Sequence, residues 1–168
     1  MANTDCEIAL AARDDVGGIL DLQDRNLSRN SGSLSVSFSR EWFETAIVDT
    51  QVIVARRNGH VVGYLVFSTF AAQAHVPLVQ AMLKAYPGSL GAYNYGPICV
   101  AENERGRGIA GSMFAALKAR LPGQEGIAFI RRDNKTSLLT HKKMGMKEVA
   151  EFTHSGVVFN VVAYGGDL

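Results

Sequence analysis

The chain has 168 residues, of which 47% are hydrophobic and 20% charged, and its formal net charge is +1. That is the balance of an ordinary globular domain with room for a core, and it gives no reason to expect nucleic acid or a membrane surface as partner. The two cysteines stand far apart, the four histidines are scattered, and no long apolar run occurs. The sequence therefore predicts no signal peptide, no membrane span, no disulfide framework and no metal site, and it suits the cytoplasm.

Cys6, Ile8 and Leu10 alternate with smaller or polar residues, which predicts a short first strand. Asp14 or Asp15 can cap a helix with Val16, Ile19, Leu20, Gln23 and Leu27 on one side, weakened near its start by Gly17-Gly18. Residues 28–39 are rich in serine and read as a loop, as a marginal strand, or as a lid on the acceptor side of a site. Ser39 can cap a second helix that buries Trp42, Phe43, Ala46 and Ile47.

Gln51–Arg57 and His60–Phe70 flank Asn58-Gly59, a strong hairpin signal, and their apolar runs predict central strands. Gly63 marks a bulge or a close backbone approach. Between about 71 and 90, Val76, Val79, Met82, Leu83 and Tyr86 fall at helical spacing, with Pro87-Gly88 as the stop. Core packing is the expected use of this segment.

The organising stretch runs from Tyr93 to Leu121. A short apolar run, Ile98-Cys99-Val100, leads through a polar bend into Arg105-Gly106-Arg107-Gly108-Ile109-Ala110-Gly111 and then an amphipathic helix. A glycine-rich turn opening a helix offers unpaired N–H groups and the positive end of the helix dipole, so it suits phosphate. Gly106, Gly108 and Gly111 fit the dinucleotide pattern G-x-G-x-x-G. However, five residues separate the turn from Val100, and the acidic residue expected about twenty positions on is matched only by Glu125. A Walker loop fails because no Lys-Ser or Lys-Thr closes the glycines. A purely structural glycine turn is the remaining alternative.

Beyond it, Gly126–Ile130 makes a strand, Asp133 or Asn134 opens a helix that Gly145 can end, and Val149–Phe152 with Val157–Tyr164 forms a closing hairpin. The order predicts a mixed α/β sheet of about seven strands with about four helices plus an inserted one, in a single domain over 1–168.

The central residues also read Arg105-x-x-Gly108-x-Ala110, which resembles the Gln/Arg-x-x-Gly-x-Gly/Ala signature of the GNAT superfamily of acyltransferases. The later helix is similar to that family's N-x-x-A-x-x-x-Y-x-x-x-G-F pattern. Asn134 and Gly145 match it, Ser137 and Met146 are conservative departures, and His141 stands at the usual tyrosine. The element order resembles the GNAT fold over nearly the whole chain, and the insertion at about 71–90 is the clearest departure.

The resemblance implies that acetyl-CoA is the co-substrate, that its acyl group goes to an amine of a small molecule or peptide, and that no metal takes part. It leaves room for a homodimer. The alternative it carries is a non-catalytic acyl-CoA sensor. It implies backbone contacts from Ile98 and Val100 to the pantetheine arm, with the Val100 N–H polarising the thioester carbonyl. The N–H groups of Arg107, Gly108, Ala110 and Gly111 would hold the pyrophosphate while Arg105 holds the turn. Asn134 would either bind the pantetheine or its water, or simply cap its helix.

Glu102, Tyr93 and Tyr95 are candidate bases for deprotonating the amine. Tyr93 and Tyr95 also suit a core or pocket wall. Cys99 is read as a buried structural thiol rather than a nucleophile. His141 is either a satisfied core histidine or the proton donor to the departing sulfur.

Overall fold

The computed structural model describes residues 6–28, 32 and 34–166. Part of the serine-rich segment, residues 29–31 and 33, lies outside the described residues. Among the described residues, seven strands and five helices form a mixed α/β fold, with the strands in the order β1-β2-β3-β4-β5-β7-β6. The chain divides into two compact units, Met1–Phe67 with Gly96–Leu121 and Ser68–Tyr95 with Pro122–Leu168.

In the first unit, β1 (Cys6–Leu10) pairs antiparallel with β2 (Val52–Arg57), and β2 with β3 (His60–Ser68). Asn58 and Gly59 turn the hairpin at φ 51° and 78°, the left-handed conformation this turn requires. Both readings of Gly63 hold. The register shifts by one residue beside it, and a Cβ there would lie 3.2 Å from the Cys99 carbonyl oxygen and from the Met113 methyl.

Helix α1 (Val16–Asn26) buries Val16, Ile19 and Leu22. Each such side chain taken from water contributes roughly 1.5–3 kcal/mol. Asp15 stands at the head of α1, as expected, but its carboxylate accepts from the Ala12 N–H and from Arg56 at 2.6 and 2.8 Å instead of capping the helix. Ser39 does cap α2 (Arg40–Val48), accepting from the Trp42 N–H at 3.1 Å. Phe43 and Ala46 are buried as expected, whereas Trp42 and Ile47 remain half-buried. Phe38 stacks on Trp42, and Phe43 meets Phe38, Trp42 and Tyr64 edge-on.

In the second unit, the inserted segment is a short 3-10 turn followed by α3 (Pro77–Ala85), which starts on a proline and buries Val79 and Met82. It packs against β5 (Gly126–Arg131) and β6 (Lys147–His154). The Tyr86 hydroxyl and the Ser89 N–H both donate to the buried Glu125 carboxylate, at 2.7 and 2.6 Å. Core packing is thus one use of the insertion. Strand β7 (Val157–Tyr164) lies antiparallel between β5 and β6, and Phe129, Phe152 and Phe159 cluster across the three.

Strand β4 (Tyr93–Val100) runs through both units. It pairs in parallel with β5 at Tyr93↔Gly126 and Asn94↔Ile127. Gly96 follows at φ 102°, with a cis peptide to Pro97. The expected strand distortion at Gly96-Pro97 is there.

Candidate functional site

Strand β4 ends at Val100, a 3-10 turn covers Glu102–Glu104, and α4 spans Ile109–Arg120. Its buried stripe, Ile109, Met113, Phe114 and Leu117, packs on β1 and β2 and fixes the direction in which the helix points. Between the 3-10 turn and α4, Gly106 and Gly108 adopt φ 77° and 80°. Two left-handed residues in one short turn are what glycine supplies at little steric cost.

The backbone hydrogen bonds of this turn can be followed residue by residue. The N–H groups of Glu104 and Arg105 donate to Ala101 and Glu102, and that of Ser112 donates to Gly108. Those of Gly106, Arg107, Gly108, Ile109, Ala110 and Gly111 find no acceptor among the described residues. A Cβ on Gly106, Gly108 or Gly111 would meet nothing within 4 Å. The turn therefore presents a run of donors at a helix N-terminus with no side chain in front of its glycines, which is the arrangement an anion needs.

The side chains around the turn divide the work. Glu104 is buried and receives a two-pronged contact from Arg57, Nε and Nη2 each at 3.0 Å, while Arg107 stands 3.6 Å from the same carboxylate. The Arg57 hydrogen bonds hold the Glu104 carboxyl below its usual range, so the group stays ionised and anchors the 3-10 turn. Arg107 is about half exposed, so its guanidinium is available to an incoming anion. Arg105 is committed inward, with Nε donating to the Val100 carbonyl at 3.1 Å and Nη2 to the Asn26 side-chain oxygen at 2.8 Å. Glu102 is exposed on the same turn. Ile98 and Val100 are half-buried while Cys99 between them is buried, as alternation along a strand requires. Burial pushes the Cys99 thiol up to about 12, so it is no thiolate at neutral pH.

The second unit holds the other candidates. Asn134 precedes α5 (Lys135–Lys143), and its side-chain oxygen accepts from the Ser137 N–H at 3.2 Å. Helix capping is therefore a use the structure gives it. His141, on the apolar side of α5, is 3% exposed and meets Tyr95, also 3% exposed, with Nε2 3.2 Å from the phenol oxygen. Its Nδ1 lies 2.7 Å from the Ser137 carbonyl oxygen and 3.3 Å from the Ser137 hydroxyl.

A carbonyl only accepts, so Nδ1 carries the proton. In the neutral ring Nε2 is then the acceptor of the Tyr95 hydroxyl. Burial lowers the His141 pKa more than the Ser137 carbonyl raises it, which favours this neutral form. The expectation of an imidazolium poised to donate is thus poorly matched by its surroundings. Burial alone raises the Tyr95 pKa far above the phenol range, so it too is a neutral group. Tyr93 and Tyr164 pack edge-on over Gly126, where a Cβ would fall within 3 Å of both rings.

Glu104 and Asn26 escaped the sequence reading. Glu104 looked like one more charge in a polar bend, and its partner Arg57 lies 47 residues away. Asn26 is 79 residues from Arg105, and no local pattern announces such a pair. Among the described residues, no group of three or more His, Cys, Asp or Glu is placed to hold a metal ion, and no helix is long and apolar enough to cross a membrane.

A family model described as acetyltransferase (GNAT) family matches residues 19–146. No curated protein sequence gives a significant match. Among solved structures, the chain is similar to an N-acetyltransferase from Staphylococcus aureus Mu50, with 22% identity over 95% of this chain and 98% of that one and a TM-score of 0.70. It is similar to a ribosomal-protein-alanine N-acetyltransferase from Brucella melitensis, with 24% identity over 95% and 99% of the two chains and a TM-score of 0.69. It is also similar to a putative acetyltransferase from Salmonella typhimurium determined with its cofactor acetyl-CoA, at 16% identity, 97% and 95% coverage and a TM-score of 0.71.

Proposed function

The chain belongs to the GNAT acetyltransferase family, and from that premise we propose that it transfers an acetyl group from acetyl-CoA to an amine of a small molecule or peptide. The observation that carries the reading is the run of unaccepted N–H groups from Gly106 to Gly111. Their number, the open space before the glycines and the half-exposed Arg107 fit a pyrophosphate better than they fit a turn built only for structure.

In this reading the N–H groups of Arg107, Gly108, Ala110 and Gly111 hold the pyrophosphate. Bound acetyl-CoA supplies an activated thioester. The backbone at Ile98 and Val100 aligns the pantetheine arm, and the Val100 N–H faces the acyl oxygen, where negative charge grows as the amine attacks. Asn134 spends its oxygen on the cap, and its amide nitrogen remains for the pantetheine or an ordered water. Attack is direct, because the Cys99 thiol is buried and protonated. The whole chain acts as one acyltransferase domain, a reading supported by a family match that takes in parts of both units.

An alkylammonium must lose a proton before it attacks. Tyr95 and His141 are the proposed proton-handling pair: the hydroxyl proton passes to Nε2 as the phenol oxygen takes one from the ammonium, and the transient imidazolium returns its proton through the same hydroxyl to the departing CoA sulfur. Exposed Glu102 is the alternative base. Acetyl-CoA consumption and thiol release across a panel of amines test the proposal. Amine-dependent thiol release supports the enzyme. Tight CoA binding with no turnover on any amine would favour the sensor instead.

A further inference from the structure

Arg105 is the motif residue whose polar contacts all run away from the phosphate donors. Its N–H is spent on the Glu102 carbonyl at 3.3 Å, its Nε on the Val100 carbonyl at 3.1 Å, and its Nη2 on Asn26 Oδ1 at 2.8 Å. Asn26 is the last residue of α1 and is 8% exposed. Its Nδ2 donates to the Leu22 carbonyl at 2.8 Å, and its own carbonyl accepts from the Leu34 N–H at 2.9 Å. Leu27 bridges Leu34, and Ser28 donates to the Leu34 carbonyl.

One turn earlier on α1, the buried Gln23 side chain exchanges two hydrogen bonds with the Phe38 backbone, at 3.0 and 2.9 Å. The C-terminal turn of α1 thus holds the chain at both Leu34 and Phe38, and Arg105 ties that turn to the base of the phosphate loop. Phe38 in turn leads into the aromatic group of Trp42, Phe43 and Tyr64.

We propose that Arg105 is a positioning residue that couples occupancy of the 106–111 turn to the C-terminal turn of α1, so that CoA binding orders the backbone at Leu34 and Phe38. The inference rests on the reading of that turn as the CoA site. Gly106 and Gly108 make the turn conformationally permissive on both sides of Arg107. An anion that engages several N–H groups at once fixes the turn, and with it the peptide that carries the Arg105 side chain.

The guanidinium is a planar fork held at both ends, so it transmits that restriction to Val100 and Asn26 together. A flexible ammonium could satisfy one end only. The coupling is reciprocal by linkage, so whatever ordering CoA confers on α1 must return as CoA affinity.

Hydrogen exchange on the full chain, with and without saturating CoA, tests this. In the parent the Leu34 and Phe38 amides should exchange at least about fivefold more slowly with CoA bound, the lower end of ordinary coupling between sites. In Asn26→Ala and in Arg105→Lys that ratio should fall towards one, and CoA affinity should weaken by about the same factor. The double variant should be no worse than either single one. Arg105→Lys alone carries the test if Asn26→Ala does not fold.

A merely structural strut would speed exchange equally with and without CoA and leave the ratio unchanged, and that result overturns the coupling. Failure of the parent to bind CoA at all would instead overturn the functional reading, and this inference with it.

Discussion

Gly111→Ala separates what the turn needs for stability from what it needs for a ligand. Gly111 is the third residue of α4, outside the left-handed region, and a Cβ there meets nothing within 4 Å. Glycine in a helix costs about 0.5–1 kcal/mol relative to alanine, so the exchange should stabilise the protein by up to about that amount. For a chain of this size the melting temperature should rise by about 2–4 °C per kcal/mol.

The same methyl stands in the open space before the N–H donors. Losing or lengthening one hydrogen bond to a charged phosphate costs about 1.5–3 kcal/mol, roughly ten- to a hundredfold in CoA affinity. Gly17→Ala in α1 is the control, because Gly17 is helical, exposed and equally open. It should give a similar gain in melting temperature with CoA affinity unchanged. Differential scanning calorimetry and isothermal titration on the two variants make the comparison. A stabilised Gly111→Ala variant that binds CoA as tightly as the parent would refute the reasoning.

Gly108→Asp, at φ 80°, places a carboxylate among the same donors and should weaken CoA binding more than tenfold by calorimetry, with the fold verified by circular dichroism. Stability should fall with acid in two stages. Burial would raise the Asp15 pKa, but the Arg56 and Ala12 hydrogen bonds outweigh it, and Arg57 lowers Glu104, so both contribute stability above pH about 4 that is lost as pH drops through their folded values. His141, lowered by burial, adds a loss that begins below pH about 6.5. Urea midpoints across pH should show both stages, and His141→Phe should remove the upper one. If Tyr95 and His141 handle the proton together, Tyr95→Phe and His141→Phe should each lower kcat by about 10²–10⁴-fold, and the double variant should be no slower than the worse single one. Parent-like turnover in either folded variant would remove the pair from the mechanism.

The parts of the fold that were legible in the sequence are those set by local chemistry. Asn58-Gly59 forces a hairpin wherever it sits between apolar runs, Ser39 caps because its hydroxyl reaches an N–H three residues on, and the stripe on α4 declares its buried face. The glycine turn was legible for the same reason. Two positive φ values and an uncrowded helix start are local properties. Long-range pairings were not legible. Arg105 reads as holding the turn, but nothing local names Asn26, 79 residues away, as its partner, and Asp15 reads as a helix cap until Arg56 takes its carboxylate. His141 was legible as an apolar-side histidine, but its tautomer is decided by the Ser137 carbonyl, which is visible only once the helix is built. Each miss is a polar side chain claimed by a distant or backbone partner.

The most direct test of the account follows the amide signals of Gly106 to Gly111 in a two-dimensional NMR titration of the parent protein with CoA. The account predicts saturable shifts that are largest at Arg107, Gly108, Ala110 and Gly111. Saturable binding that leaves those amides unmoved, or no binding at millimolar CoA, would contradict it.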